Sequence, residues 1–168
     1  MYNKMVLNKV KNIEDINTLA KLADIVWHEF FPCILTSEQI DYMVSKFQSF
    51  DALKEQVENG YEYYIVNDGE NIGYIGFKKE PTKLFISKIY LLAGGRGKGY
   101  TKKIFKFLSE VVKNNNLDGM YLTVNKYNSH AIDVYKHYGF EIIDAVVTDI
   151  GNGFVMDDYI MYNKSASN

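Results

Sequence analysis

The stretch that decides the fold is LLAGGRGKGYTKK, residues 91–103. Three glycines and an arginine crowd into Gly95–Gly99, with lysines at Lys98, Lys102 and Lys103. Arg96 is the only arginine among 19 basic residues. The residues ahead of it, KLFISKIYLL (83–92), are apolar and β-branched and predict a strand. Those behind it, YTKKIFKFLSEVVKNNN (100–116), place Ile104, Leu108 and Val111/Val112 on one helical stripe. A strand, a glycine loop and a helix start together present unpaired N–H groups and partial positive charge on a backbone that can approach a ligand closely. That is a recipe for holding phosphate. Two nucleotide patterns nevertheless fail at their defining residue. After Gly94 and Gly99, Tyr100 stands where a Walker loop needs Lys. After Gly97 and Gly99, Lys102 stands where a dinucleotide loop needs its third Gly. On its own the loop is equally a solvated turn or a phosphate cradle.

Working outward, MVLNKV (5–10) predicts a short strand. IEDINTLAKLADIVWHEFF (13–31) repeats apolar residues at helical spacing (Ile16, Leu19, Ala20, Ala23, Ile25, Val26, Trp27), and Pro32 follows its end. TSEQIDYMVSKF (36–47) predicts a second helix opened by Thr36 or Ser37. DALKEQVENG (51–60) predicts a third. YEYYIVNDGENIGYIGFKK (61–79) reads as two strands around Asn67-Asp68-Gly69, a hairpin signal. Beyond the central helix come a strand at MYLTV (120–124) and a short helix at SHAIDVYKHYG (129–139). That helix carries Ala131, Val134, Tyr135 and Tyr138 on one stripe and has Gly139 beyond its end. Strands FEIIDAVVTDI (140–150) and FVMDDYIMY (154–162) flank Gly151-Asn152-Gly153. The order is β-ααα-β-β-β-α-β-α-β-β. It implies an α/β chain, an α+β mixed sheet with helices on both faces, holding one parallel β-α-β crossover at the glycine loop.

Composition narrows the function. A hydrophobic fraction of 47% and a charged fraction of 24% over 168 residues suit one soluble domain, residues 1–168. A net charge of −2 lacks the basic field that nucleic-acid binding needs. One cysteine, Cys33, excludes an internal disulfide and a multi-cysteine zinc site, and no metal is expected. The charged N-terminus has no apolar signal region, and no apolar run approaches the ~18 residues of a membrane span. The expected location is the cytoplasm, with no membrane partner.

Arg96–Thr101, R-G-K-G-Y-T, resembles the Q/R-x-x-G-x-G/A loop of the GCN5-related N-acetyltransferases, the GNAT superfamily, and KIYLL (88–92) is similar to that family's fourth strand. Leu122, Val124, Asn128, Ala131, Tyr135, Gly139 and Phe140 fall on its second motif, L-x-V-x-x-x-N-x-x-A-x-x-x-Y-x-x-x-G-F. The element order is also that of the family. Thr101 departs from the pattern, standing where Gly or Ala is usual.

The resemblance implies a GNAT-like acyl-CoA N-acyltransferase fold and acetyl transfer from acetyl-CoA to an amine. It implies that the pyrophosphate rests on backbone N–H groups of Gly97, Lys98, Gly99, Tyr100, Thr101 and Lys102, with Arg96 either assisting or bracing the loop. The pantetheine arm would pair with Ile89, Tyr90 and Leu91 as an added strand. Tyr135 carries over as general acid toward the departing thiolate, though it lies on the apolar stripe of its helix. Asn128 carries over as a cofactor-loop residue and also suits a helix N-cap. Many relatives hold a Glu nine residues before the motif arginine; that position is Ser87, a poor base. His28 and Glu29, or Asp157 and Asp158, are the remaining base candidates. The acceptor is expected between residues 27–45 and 150–160, where Trp27, Glu29, Asp157 and Asp158 offer an aromatic and acidic lining for a small-molecule, polyamine or peptide amine. The alternative is a non-catalytic acyl-CoA-binding sensor. A homodimer is common among look-alikes, but no interface signal stands in the sequence.

Overall fold

The computed structural model describes residues 5–164. Its elements are β1 (Val6–Lys9), α1 (Ile13–Phe30), α2 (Ser37–Met43), α3 (Phe50–Glu58), β2 (Tyr61–Asn67), β3 (Asn71–Lys79), β4 (Lys83–Leu91), α4 (Tyr100–Asn114), β5 (Gly119–Asn125), α5 (Ser129–His137), β6 (Glu141–Gly151) and β7 (Phe154–Asn163). The predicted element order holds. Thr36 caps α2 by accepting from Gln39 N–H, and Asn128 caps α5 by accepting from Ala131 N–H, each at 3.2 Å.

Two local expectations differ. The second helix was predicted to reach residue 47 but ends at Met43 and passes into one π-helical turn, Val44–Gln48. Ser49 then adopts an extended backbone and its Oγ accepts from Ala52 N–H at 3.3 Å, which restarts the chain as α3 at Phe50. Ile25 is 57% exposed; the buried stripe of α1 is Ile16, Leu19, Leu22, Ala23, Val26 and Trp27. Ile25 is one position out of phase with that stripe.

The seven strands hydrogen-bond in the order β1-β2-β3-β4-β5-β7-β6. β4 and β5 are parallel and joined by α4, the crossover expected from sequence. Their paired register runs from Lys83↔Gly119 to Ile86↔Leu122, while β4 continues to Leu91 and β5 to Asn125. β7 pairs antiparallel with both β5 and β6.

By contacts the chain forms two compact units. One comprises the residues up to Lys78 with Lys88–Thr101, the other Lys79–Ser87 with the residues from Lys102 onward. The first is built on Leu19, Ala23, Val26, Leu53, Tyr63 and Tyr74, which bury the inner stripe of α1 against β2 and β3. The second buries Ile104, Leu108 and Val112 of α4 together with Met120, Leu122, Val124 and Met161.

Candidate functional site

In the first unit the glycine loop is held from behind. Ala93–Gly95 form a 3₁₀ turn. Ala93 N–H donates to Glu29 Oε1 at 2.9 Å. Arg96 turns inward: its Nε donates to Leu91 O at 3.3 Å, its guanidinium lies 3.8 Å from Glu29 Oε1, and it stacks over Phe30 at 4.4 Å. These contacts have the geometry of a brace for the loop, one of the two roles left open by sequence. Further along, Asp68, buried in the β2–β3 turn, accepts from Tyr100 OH at 3.1 Å and Lys98 Nζ at 3.4 Å.

The front of the loop is open. Gly97 and Gly99 have φ of +74° and +77°, the left-handed region that glycine adopts without strain. A Cβ on either would meet no atom within 4 Å. Among the described residues, the N–H groups of Gly97, Lys98, Gly99 and Thr101 donate to no protein acceptor. Thr101 sits half-buried in the first turn of α4, and its hydroxyl makes no hydrogen bond to a described residue. That first turn has no acidic residue; it holds Thr101, Lys102 and Lys103. Lysines there oppose the helix dipole, whereas an anion at the same place satisfies both the dipole and the lysines. The loop thus fits a phosphate group by free donors, charge and space.

Behind β4, Tyr90 joins an aromatic cluster, with ring centroids 5.4 Å from Tyr74, 5.8 Å from Trp27 and Phe30 and 5.9 Å from Phe31. Trp27 is buried and spends its only donor on Tyr74 OH at 3.0 Å, which in turn donates to Gln48. It serves the core of this unit. His28 has both ring nitrogens engaged, Nδ1 by Asp24 and Nε2 by Asp41 at 2.7 Å, and the Asp41 hydrogen bond, with that to the Asp24 carbonyl, raises its pKa. Cys33 is exposed. Of the β4 residues assigned to the pantetheine arm, Ile89 and Tyr90 are half-buried and Leu91 is buried.

In the second unit, Tyr135 packs edge-on to Phe105, ring centroids 6.1 Å apart, and lies 5.9 Å from Phe140. Burial holds its phenol well above the ordinary tyrosine pKa, so the hydroxyl stays protonated. No described acceptor takes that proton. It is a donor in waiting rather than a base. Asn128 caps α5 with its side-chain oxygen, which leaves its amide nitrogen for another partner. On β7, Asp157 Oδ1 lies 2.8 Å from Lys126 Nζ, and Lys126 N–H donates to Asp157 O. Asp158 is buried, and its Oδ1 has no hydrogen-bond partner among the described residues. Burial first, then the Asp157 charge, pushes its pKa up to about 6, against the opposing pull of Lys126.

Two residues of these arrangements were not singled out from sequence: Asp68 and Lys126. In sequence Asp68 reads only as a turn residue, since turn aspartates ordinarily bond local backbone; its side chain instead reaches Lys98 and Tyr100.

A strand, an open glycine loop and a helix start on a mixed sheet with one parallel crossover make an architecture shared with acetyltransferases. Solved structures agree. The PaiA N-acetyltransferase of Thermoplasma acidophilum, crystallised with coenzyme A, superposes with a TM-score of 0.78 at 23% identity, over 96% of this chain and 99% of that one. A spermidine N-acetyltransferase SpeG chimera of Vibrio cholerae and hSSAT gives 0.65 at 20% identity, over 96% of each chain. The chain belongs to the Acetyltransferase (GNAT) family, whose profile matches residues 19–140. The uncharacterized N-acetyltransferase YjgM of Escherichia coli (strain K12) is 32% identical over 98 residues, 55% of this chain and 59% of that protein. The matched region thus spans less than two thirds of that relative's length.

Proposed function

We propose that residues 1–168 form an N-acetyltransferase domain that moves the acetyl group of acetyl-CoA onto a primary amine of a small molecule, polyamine or peptide. The amine attacks the thioester directly, with both substrates bound. The observation that carries this reading is the open front of the glycine loop in a chain of this family. There, the free N–H groups of Gly97, Lys98, Gly99 and Thr101, two left-handed glycines and a helix start with no acidic residue in its first turn meet in one place.

In this reading the pyrophosphate takes the N–H groups of Gly97–Lys102 and the charge of Lys98. The β4 backbone at Ile89, Tyr90 and Leu91, beyond the end of the β4–β5 ladder, takes the amide-rich arm. A backbone N–H there polarises the thioester carbonyl. Tyr135 donates its proton to the departing thiolate; burial keeps its hydroxyl protonated at physiological pH, although the same burial makes it a weaker acid, so the proton it gives is replaced by one from the amine. Asn128 steadies the turn into α5. Asp157 and Asp158 supply negative charge for a cationic acceptor. The PaiA structure holds coenzyme A and the SpeG chimera is a spermidine enzyme; both support a CoA co-substrate and an amine acceptor here.

The test is free-thiol release from acetyl-CoA across a panel of polyamines, small amines and peptides, beside calorimetric CoA binding. Turnover with one amine class is the expected result. Tight CoA binding with no turnover on any amine would favour the sensor reading, which Ser87 in place of a glutamate supports.

A further inference from the structure

Asp158 is a buried carboxylate whose place in the fold points to a sharper task than general acidity. It stands on β7 opposite Asn125, the last residue of β5, and the chain runs from there through Lys126 and Asn128 into α5. It therefore lies at the carboxyl end of a parallel strand, where ligands of such sheets collect. Side-chain alternation gives it a face. Tyr121 pairs with Tyr162, and Phe85 stacks on Tyr121 with ring centroids 5.0 Å apart. Two residues along β4 from Phe85 is Ser87; four along β5 from Tyr121 is Asn125; four back along β7 from Tyr162 is Asp158. Asp158 thus shares a sheet face with Ser87, where the family resemblance would expect a glutamate. Asp158 is only 6% exposed, yet its Oδ1 has no hydrogen-bond partner among the described residues. A buried carboxylate oxygen without a partner is costly, and one that is kept asks for a ligand.

We propose that Asp158 is the proton acceptor for the attacking amine. This rests on the acetyl-transfer reading above. The acceptor arrives as an ammonium ion. Asp158 takes one of its protons, directly or through one water, and leaves a neutral nitrogen with its lone pair. That nitrogen attacks the thioester carbon: the C–N bond forms and the C–S bond breaks. A second nitrogen proton reaches the departing sulfur by way of the Tyr135 hydroxyl, which gives one proton and receives another. Asp158 then releases its proton to water. The products are an amide and a thiol, with one proton released and no change of oxidation state.

The surroundings suit the task. The charged neighbours are Asp157 on the same strand and Lys126 from the β5–α5 connection; the register partners, Asn125 on β5 and Val146 on β6, are uncharged. A carboxyl titrating at about 6 is ionised at neutral pH and still basic enough to take a proton.

The experiment measures the pH dependence of kcat/KM for the best amine in wild type, Asp158→Asn, Asp158→Glu, Asp157→Asn and Lys126→Met. Calorimetric CoA binding, thermal unfolding and a ¹³C titration of the Asp158 carboxyl in the CoA-free protein accompany it. The expected result is a fall of about 100-fold in kcat/KM for Asp158→Asn at pH 7–8, with loss of the acid limb near pH 6. Its CoA affinity stays within twofold and its Tm is unchanged or higher, because a buried charge has gone. Asp158→Glu recovers part of the rate. Asp157→Asn moves both the limb and the ¹³C midpoint to lower pH, and Lys126→Met moves them to higher pH. The proposal is overturned if Asp158→Asn keeps its rate within threefold and retains the limb. It is also overturned if rate and CoA affinity fall together. A wild type that binds CoA but acetylates no amine overturns the acetyl-transfer reading itself, a result the variants cannot mimic.

Discussion

Glu29, in the last turn of α1, accepts a hydrogen bond from Ala93 N–H at 2.9 Å and lies 3.8 Å from the Arg96 guanidinium. A carboxylate near a helix C-terminus opposes the dipole, so its position has to be offset by what it holds. What it holds is the loop ahead of α4. Sequence placed Glu29 with the acceptor; its contacts, to Ala93 N–H and Arg96, lie with the glycine loop, and we propose that it clasps that loop. Glu29→Ala is expected to raise the acetyl-CoA Kd about tenfold, the worth of one charge-assisted hydrogen bond, with kcat at saturating acetyl-CoA nearly unchanged. Calorimetry and saturation kinetics decide it. A variant with intact CoA affinity but a raised amine KM would return Glu29 to the acceptor.

Gly99 tests the front of the same loop. Its φ of +77° strains any side chain, by about 1–2 kcal/mol for an ordinary residue, although a Cβ there meets only open space. Gly99→Ala is therefore expected to fold with a modest stability loss. Gly99→Glu adds bulk and negative charge where the phosphates are assigned and should weaken CoA binding by 100-fold or more. Fluorescence or calorimetric titration with CoA measures both, and CoA affinity that survives the glutamate removes the loop from the cofactor site.

The strand–loop–helix at 83–116 was legible because its signals are local: β-branched residues, then glycines, then a 3.6-residue stripe. Asn128 as an N-cap and both hairpin turns were legible for the same reason. Partners distant in the chain were not. Glu29 and Ala93 are 64 residues apart, and no periodicity couples them. The Trp27 N–H bond to Tyr74, 47 residues on, is likewise beyond any local pattern. Ile25 fell to a phase error of one residue. The π-helical turn after Met43, and Ser49 as the cap that restarts the chain as α3, are hidden by a continuous apolar pattern.

Tyr135→Phe separates catalysis from packing. The ring is fixed by Phe105 and Phe140, contacts that phenylalanine keeps. The hydroxyl bonds no described residue, so its removal should leave stability within about 0.5 kcal/mol or raise it slightly. The rate should drop about 10- to 100-fold in kcat, with little change in acetyl-CoA KM, because a thiolate leaves readily even without an acid. Steady-state kinetics beside a urea melt checks this, and an unchanged kcat would confine Tyr135 to the core.

Lys88 supplies a pH test that needs no substrate. It projects from β4 into the first unit's interior, where its Nζ lies 2.6 Å from Tyr63 OH and 3.1 Å from Gln56 Oε1. Tyr63 pairs with Gly76 on β3, and a Cβ on Gly76 would come within 2.5 Å of the Tyr63 ring, so the glycine makes room for that ring. Burial lowers the Lys88 pKa from 10.5 to about 7. Between those two values the unfolded chain carries a proton that the native one has lost. Native stability therefore rises with pH across that window, by at most about 1.4 kcal/mol per pH unit, and this gain is absent below about pH 7, where both states are charged. Lys88→Met keeps the Tyr63–Gln56 hydrogen bond and removes the titrating group. Its stability at pH 7 should equal or exceed that of wild type, and its urea midpoints should lack the wild-type rise between pH 7 and 10. Parallel curves for the two proteins would mean that Lys88 stays charged in the fold, held by Tyr63 and Gln56 as an ammonium.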